Sequence, residues 1–407
     1  MQRLPLILSL FTLFFGIATY DWETHKWGLL SLLLYSLPCI SLVLKNKLIR
    51  AYALWFGLFL VLQTTVSYFA YQKYHHLTPS MKYQIDVQGE GLPGIQGLQT
   101  ISTDNLGFRT TKNIDYQKKS LGLRIFALGA STTESIYLDD HKTWPHLLQQ
   151  KLETKTQKSV EVINSGVSGL RMVHIYDNFK KVLKFHPDVA LFLIGVNDWN
   201  KDILNHFDPS IEKLNRFYST FGLEYYEVTK VYLRNTLFGL ALQSFPLRKK
   251  TDEPTQKNKI ERGEYFTKQN NTLTKTDVRI YEPTDILAEY RTYLEKTARL
   301  CKKHHIRCYF LTQPNAYKIG VDEKTKKYFW MTPPNISYTL DLTSMIKVAI
   351  VYNTKLKEIA NENSIPICDL DSAVAPSIES FYDEVHFNEK GSDIVAKKLT
   401  DCLTESN

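Results

Sequence analysis

Five short apolar segments that alternate with helical patterns constrain the fold of this chain more than any other feature. They are residues 124–129, 160–163, 188–195, 307–312 and 365–369, and each is followed along the chain by a stretch with helical spacing of apolar residues. The third segment is nearly all apolar, which is typical of a central parallel strand buried on both faces. The pattern predicts an α/β fold, a flavodoxin-like, doubly wound five-stranded parallel sheet with helices on both sides.

The N-terminal region has a different character. Residues 4–20, 27–44 and 51–71 contain no Lys, Arg, Asp or Glu, and each is near the roughly 17–25 residues that cross a bilayer. The first stretch resembles a signal peptide with Arg3 as its charged start, but no clear cleavage site follows it. We therefore predict three transmembrane helices within residues 1–72. The alternative is that these stretches are buried helices of a soluble domain.

Charges between these stretches predict the orientation of the chain. The connector between the second and third stretches carries Lys45, Lys47 and Arg50, whereas the first connector has mixed charges. By the positive-inside rule the basic connector lies in the cytoplasm. Three spans then place everything after residue 71 outside it. We expect a multi-pass protein of the cell membrane whose C-terminal region is extracytoplasmic, or periplasmic, and lies beside the lipid bilayer.

The remainder of the chain is predicted to form a connector and one globular domain. Residues 73–121 are polar and contain several glycines, which is typical of a connector. Residues 122–407 form the predicted α/β domain. The alternation is interrupted at about 200–283 by amphipathic pieces and a polar stretch, which we interpret as an insertion beside the site.

The composition of the chain limits its candidate binding partners and the cellular compartment in which it is expected. A formal net charge of +8 fits attraction to anionic lipids or polymers. Nucleic acid is not expected as a partner, because no dense Lys/Arg stripe accompanies a recognition motif. Four of the five cysteines, Cys301, Cys308, Cys368 and Cys402, follow the predicted spans. They permit two disulfides in any of three pairings, and free buried thiols are an equally open alternative.

A serine follows the first predicted strand of the sheet. Ser131 lies in Gly129-Ala130-Ser131-Thr132-Thr133, where the strand gives way to a helix. Ligands of open α/β sheets bind outside the carboxyl ends of the strands, so a nucleophile is expected at this edge. The free N–H groups of a helix N-terminus also favour an anion beside Ser131. Taken alone, the motif is more typical of a helix cap.

The next two strands also end in residues suited to acyl transfer. Gly169 follows the second strand in Asn164-Ser165-Gly166-Val167-Ser168-Gly169, and Asn197 follows the third in Gly195-Val196-Asn197-Asp198. A backbone N–H and an Asn side-chain amide can both donate to a developing oxyanion. Each motif alone is also compatible with an ordinary turn or helix cap.

An acid and a base precede the final helix. His386 could act as general base toward Ser131, and Asp383 could hold the imidazole in the required tautomer. No second His or Cys stands at ligand spacing nearby, so neither a metal nor another cofactor is expected. We interpret His304 and His305 as the C-terminal end of a helix, where positive charge suits the helix dipole.

Together these motifs resemble the conserved blocks of the SGNH (GDSL-like) hydrolase superfamily, over about residues 121–405. The resemblance implies that Ser131 is the nucleophile of a triad with Asp383 and His386. It also implies an oxyanion hole formed by the Ser131 N–H, Gly169 and Asn197.

Two features bear on the subgroup. The segment 104–109, Asp-Asn-Leu-Gly-Phe-Arg, resembles a lead-in seen in membrane-anchored members, whereas Ala130 occupies the position of Asp in the GDS signature. That Asp is not a triad member, so the change concerns the subgroup more than the chemistry.

The resemblance and the expected location lead to one functional hypothesis with rivals. We expect a membrane-anchored, extracytoplasmic serine esterase that removes an O-acyl group through an acyl-enzyme. The expected substrate is an acetylated cell-envelope glycan, with an acylated lipid as the close rival. An O-acyltransferase using the same residues, or an inactive binding module held at the membrane, remain the alternatives.

Overall fold

The structure is a computed structural model. It describes residues 77, 79–88, 92–111, 114–117, 122–208, 258–261, 276–329 and 337–405, together with isolated positions between 47 and 58. The chain divides into two compact units, one of residues 77–206 and 252–407 and the other of residues 1–76 and 207–251. The predicted spans at 4–20 and 27–44, all but isolated positions of the span at 51–71, and most of the predicted insertion lie outside the described residues. No helix within the described part is long and apolar enough to cross a bilayer.

Ten strands are described. They are β1 (Lys82–Gln88), β2 (Gly97–Ser102), β3 (Leu123–Gly129), β4 (Val160–Gly166), β5 (Val189–Leu193), β6 (Asn258–Glu261), β7 (Asp277–Arg279), β8 (Arg307–Leu311), β9 (Tyr338–Leu340) and β10 (Ile367–Cys368). The α-helices of the same part are α1 (Ser131–Glu134), α2 (Trp144–Thr156), α3 (Met172–Val182), α4 (Val196–Phe207), α5 (Ala288–His304), α6 (Glu323–Lys326), α7 (Leu342–Glu362) and α8 (Glu389–Glu405).

A five-stranded parallel sheet is the centre of the domain, as the sequence predicted. Its strand order is β10-β8-β5-β3-β4, and every neighbouring pair is parallel. This is the flavodoxin-like order, in which the first strand of the sheet lies between the second and the third. All five residues of β5 are buried, because a central strand of such a sheet is covered on both faces. The topological switch point falls between β3 and β5, so the ends of these strands flank the expected ligand crevice.

The helices that cover the sheet begin and end near the predicted positions. Helix α7 was predicted at about 341–363, and Asp341 caps its N-terminus by accepting a hydrogen bond from the Ser344 N–H at 2.9 Å. Its buried face includes Met345, Val348, Tyr352, Leu356 and Ile359, which recur at intervals of three and four residues. The helix after β3 differs from the simple pattern. A short helix, α1, comes first, and α2 starts at Trp144.

A second sheet lies within the stretch predicted as a connector. Strands β1 and β2 pair antiparallel, and β6, which falls in the predicted insertion, pairs parallel to β1. The apolar side chains of β1 and β2, such as Ile85 and Ile101, pack in one cluster with Leu138 and Tyr382 of the α/β domain. The connector therefore contributes to the hydrophobic core beside the loops that follow α1 and precede α8.

The four C-terminal cysteines form two disulfides. Cys301 of α5 is bonded to Cys308 of β8, and Cys368 of β10 is bonded to Cys402 of α8. Of the three pairings open to the sequence, the structure has the one that joins cysteines closest along the chain. Each bridge ties a helix to a strand of the central sheet.

Candidate active site

Three strand ends meet where the sequence placed its polar motifs. Gly129 at the end of β3 is paired with Gly166 of β4 on one side and with Leu193 of β5 on the other. Strand β4 and helix α1 lie so close together at this point that a Cβ on Gly166 would lie 2.2 Å from the Glu134 backbone N. A larger residue at 166 would therefore push α1 away from β4. Ser131, at the first position of α1, is held at this junction.

Ser131, His386 and Asp383 form a continuous chain of hydrogen bonds. The Ser131 Oγ lies 2.7 Å from His386 Nε2, and His386 Nδ1 lies 2.6 Å from Asp383 Oδ2. Residue 130, an alanine, occupies the cap position of α1, so the Ser131 hydroxyl contacts the imidazole instead of capping the helix. Asp383 and His386 are both buried. The arrangement orders a hydroxyl, a base and a carboxylate in the sequence that nucleophilic catalysis requires.

The loop that carries His386 is held by hydrogen bonds between the Asp383 side chain and its own backbone. Asp383 Oδ1 accepts hydrogen bonds from the N–H groups of Val385 at 2.9 Å and of His386 at 2.7 Å. The Tyr382 ring stacks on the imidazole, with centroids 5.3 Å apart and an interplanar angle of 4°. Burial raises the pKa of the Tyr382 hydroxyl well above its ordinary value, so this side chain stays neutral beside the base. The imidazole is thus fixed by Asp383 at its Nδ1 atom and by an aromatic ring on its face.

Gly169 lies on the loop that follows β4, and Asn197 lies in the first turn of α4, directly after β5. Gly169 has a φ of +82°, in the left-handed region that favours glycine, although no atom lies within 4 Å of where a Cβ would be. Its backbone conformation, and not lack of space, therefore accounts for a glycine here. The Asn197 Nδ2 donates to the Leu170 backbone oxygen at 2.9 Å. This bond joins the first turn of α4 to the loop after β4, one residue after Gly169.

Asp198 makes a second connection between the first turn of α4 and the segment that follows β4. Its carboxylate oxygens lie 3.2 Å and 3.0 Å from the Met172 backbone N, which donates to them at the start of α3. Burial raises the pKa of Asp198 to about 7. The Asp of the Gly-x-Asn-Asp motif thus caps α3, the helix that follows the Gly169 loop, and not its own helix.

Arg109 binds the backbone of the α1 turn from beneath, a contact that sequence reasoning missed. Its buried guanidinium donates to the backbone oxygens of Glu134 at 2.5 Å, Ser135 at 2.8 Å and Leu138 at 2.6 Å. The Arg109 Nε also pairs with Asp140 at 2.9 Å. These bonds satisfy carbonyl groups left without partners where α1 ends after four residues.

The turn formed by segment 104–109 positions Arg109. Asp104 Oδ1 accepts from the backbone N–H groups of Leu106 and Phe108, both at 2.9 Å, and so closes a tight turn. Arg109 then forms an isolated antiparallel bridge with Asn164 of β4, with both N···O distances at 3.1 Å. The motif singled out in the sequence therefore positions Arg109 against the α1 turn. The arginine itself was visible in the sequence, but neither its burial nor its partner carbonyls were.

Glu134 links the α1 turn to the Gly169 loop. Its Oε2 accepts hydrogen bonds from the Ser168 backbone N at 2.5 Å and from the Ser168 Oγ at 2.6 Å. The side chain is buried, and burial raises the pKa of its carboxyl. Because Ser168 precedes Gly169 directly, Glu134 holds the loop whose N–H is a candidate oxyanion donor.

Replacing Glu134 tests this link. Glu134→Ala removes the acceptor and is expected to lower kcat by about tenfold, because the Gly169 loop loses two charge-assisted bonds. Glu134→Gln keeps an acceptor oxygen and is expected to restore most of the activity. Steady-state kinetics of an ester substrate measure both changes. Equal losses in the two variants would show that an acceptor oxygen at this position is not what holds the loop.

The wild type and Glu134→Gln are also predicted to differ in how the free energy of unfolding depends on pH. Because burial raises the pKa of Glu134 in the folded chain, the unfolded chain loses this proton at a lower pH. The free energy of unfolding of the wild type should therefore fall, relative to that of Glu134→Gln, as pH rises from the ordinary glutamate value to the raised one. Denaturant titrations of both proteins across this range measure the difference.

Among the residues that the structure describes, no group of three or more His, Cys, Asp or Glu side chains is placed to hold a metal ion.

Comparison with family models gives one match. Residues 127–394, more than half of the chain, match the GDSL-like Lipase/Acylhydrolase family. A sequence search of curated proteins finds no significant match.

Solved structures with similar folds include three esterases or lipases. A psychrotrophic esterase from a Pseudoalteromonas species is 12% identical, with 70% of this chain and 97% of that chain covered and a TM-score of 0.37. An acetylxylan esterase from Geobacillus stearothermophilus is 13% identical, with coverages of 70% and 96% and a TM-score of 0.38. A GDSL-like lipase from Bacteroides thetaiotaomicron is 13% identical, with coverages of 72% and 92% and a TM-score of 0.34.

Proposed function

We propose a serine-triad mechanism for this chain, which belongs to the GDSL-like lipase/acylhydrolase family and is an ester-hydrolysing enzyme. In this proposal Ser131 is the nucleophile, His386 is the general base and Asp383 orients the base. The observation that carries it is the chain of two short hydrogen bonds, 2.7 Å from Ser131 Oγ to His386 Nε2 and 2.6 Å from His386 Nδ1 to Asp383 Oδ2.

The reaction then proceeds in two halves. His386 Nε2 takes the Ser131 proton as Oγ attacks the ester carbonyl, and the resulting imidazolium returns that proton to the departing alcohol. An acyl group is left on Ser131. In the second half His386 removes a proton from water, the hydroxide attacks the acyl carbonyl, and the acid leaves as Ser131 recovers its proton. Asp383 stabilises the imidazolium in both halves without itself becoming protonated.

The oxyanion of each half is stabilised by N–H donors in this proposal. They are the Ser131 backbone N–H at the start of α1, the Gly169 N–H and the Asn197 side-chain amide. An amide nitrogen carries two hydrogens, and the bond to the Leu170 oxygen uses one of them. That bond orients the amide and leaves the second hydrogen for substrate.

Asn197→Ala is expected to reduce kcat by roughly 10²–10³-fold, the usual cost of losing one oxyanion donor. KM should change little, because the donor acts on charge that develops in the transition state. Steady-state kinetics with p-nitrophenyl acetate separate the two constants, and a thermal melt reports on the lost bond to Leu170. Unchanged turnover would remove Asn197 from the oxyanion hole.

For the substrate, we propose an O-acyl group, acetyl first, on a cell-envelope glycan, with an acylated lipid as the rival. The proposal rests on the predicted membrane spans and on the predicted placement of the domain outside the cytoplasm. The two disulfides support that compartment, because such bonds persist in oxidising environments. An ester panel from acetyl to long acyl chains, with wild type and Ser131→Ala in parallel, tests it. A preference for long chains would favour the lipid.

An acyltransferase would use the same residues but release the acyl group to a sugar hydroxyl. Acetyl transfer to an added glycan that outpaces hydrolysis of the donor ester would favour this second function. An inactive binding module would show neither reaction and no labelling of Ser131 by a fluorophosphonate probe.

The proposed location has its own test. A cysteine introduced at Asn46, in the connector predicted to be cytoplasmic, should resist an impermeant thiol reagent in intact cells and react after lysis. Labelling of intact cells at this position would overturn the extracytoplasmic placement of the domain.

A further inference from the structure

The edge of the central sheet opposite Ser131 carries an open groove of about 1040 Å³. Its lining includes the first residues of three strands, Leu123, Val160 and Arg307, and the end of helix α5 at His304. A strand of five to seven residues spans about 17–23 Å. The groove is therefore separated from Ser131 by the length of the sheet and shares no residue with the candidate active site.

The cations of the groove outnumber its carboxylates. Its lining includes Lys158 and Arg307, together with the histidines His186, His304 and His305, and all five side chains are exposed. Asp188 is the one carboxylate among the described lining residues. Its Oδ2 accepts a hydrogen bond from the Arg124 backbone N at 2.8 Å. The balance of charge in the groove thus favours an anion.

Helix ends account for only part of this charge. His304 ends α5, and a positive charge at that position complements the helix dipole. Lys158 directly follows Gln157, the residue that caps the end of α2, whereas Arg307 belongs to β8, where no helix dipole favours a cation. Basic side chains from separate elements thus line one concavity, and stabilisation of helix ends does not explain Arg307.

We propose that this groove binds a segment of an anionic polysaccharide through the carboxylate or phosphate groups of its units. The volume slightly exceeds the range of about 300–1,000 Å³ for small-molecule sites, so several sugar rings fit. The hydroxyl group of Ser159 in the lining offers a further contact to sugars. The ligand is held at a distance from Ser131, so the groove retains a polymer and takes no part in cleavage.

A membrane surface is a poorer fit to the same groove. Proteins that bind bilayers through a surface insert exposed apolar side chains next to basic ones. The described large hydrophobic residues that are exposed are Trp55, Leu98, Val278, Ile280, Ile319 and Ile350, and none of them lines the groove. A concave, polar and basic lining suits a flexible hydrophilic chain better than a flat lipid surface.

The test compares two double variants of the full-length chain that each lose one Lys and one Arg. Lys158→Gln with Arg307→Gln alters the groove, and Arg299→Gln with Lys397→Gln alters two exposed cations that do not line it. Fluorescence anisotropy measures binding of labelled polygalacturonate and of a phosphodiester-linked polysaccharide, with neutral dextran as the uncharged probe. We expect the groove variant to bind the anionic probes about tenfold more weakly, because one exposed ion pair contributes up to a factor of about five. The control variant should bind like the wild type.

Three outcomes would overturn the proposal. In the first, both double variants bind the anionic polysaccharides equally weakly. In the second, the wild type binds neutral dextran as strongly as the anionic probes. In the third, the groove variant loses binding to phosphatidylglycerol vesicles but keeps binding to the polysaccharides. The last would assign the groove to a membrane. Thermal melts and hydrolysis of p-nitrophenyl acetate, both expected to stay at wild-type values, separate a failure of this proposal from loss of the fold or of the proposed esterase function.

Discussion

Replacing Ser131 with alanine is expected to abolish ester hydrolysis, with a loss in kcat of about 10⁶-fold. Without Oγ no acyl-enzyme can form, and His386 Nε2 loses the hydroxyl that lies 2.7 Å from it. The fold should persist, because Ser131 is only partly buried and its hydroxyl does not cap α1. Hydrolysis of p-nitrophenyl acetate measures the loss, and a fluorophosphonate probe reports directly on the nucleophile.

Ser372→Ala is the matched control, because Ser372 is an exposed serine whose hydroxyl donates to the Asp369 backbone oxygen. This variant should keep full activity and full labelling. Labelling of Ser131→Ala at the wild-type level would assign the nucleophile to another residue.

Asp383→Asn is expected to reduce kcat by about 10⁴-fold, the second largest effect. The asparagine oxygen can still accept the Val385 and His386 N–H groups, so the loop should keep its shape. Its amide nitrogen then faces His386 Nδ1 and donates a hydrogen to it. The imidazole must carry its proton on Nε2 in that arrangement, and Nε2 can no longer accept the proton of Ser131.

The substitution Asp371→Asn provides the control for Asp383→Asn. Asp371 is a partly exposed carboxylate that pairs with Lys318 at 2.7 Å, away from the imidazole. Its replacement should alter kcat little. If Asp383→Asn retained near wild-type kcat with an unchanged melting temperature, orientation of the base would have to come from another group.

The parallel sheet and the positions of its strand ends were predictable because their signals are local. Apolar runs such as residues 188–195 carry their own evidence of burial, and polar motifs directly after them fall at the carboxyl edge of any parallel sheet. The proximity of Ser131, Asp383 and His386 required one further element, the resemblance to a known family. Spacing along the chain alone cannot bring residues 131 and 386 together.

The contacts that support the site were not predictable, because they join residues that no local pattern relates. Arg109 serves carbonyl groups of the α1 turn, and Glu134 accepts from Ser168 on a different loop. Asp198 looked like a cap for its own helix but binds the start of α3. The pairing of the cysteines was likewise open in the sequence, since four cysteines permit three pairings and only the fold selects one.

The small sheet of β1, β2 and β6 sets a boundary for anyone who wishes to shorten this enzyme. The apolar side chains of β1 and β2 share a core with Tyr382, whose ring stacks on the His386 imidazole. A fragment that starts at β3 would remove the side chains that pack against Tyr382, although the hydrogen bond from His386 to Asp383 would remain. Deleting the residues around β6 would remove one edge of the same support. We therefore expect a working fragment to begin upstream of Lys82 and to keep residues 258–261.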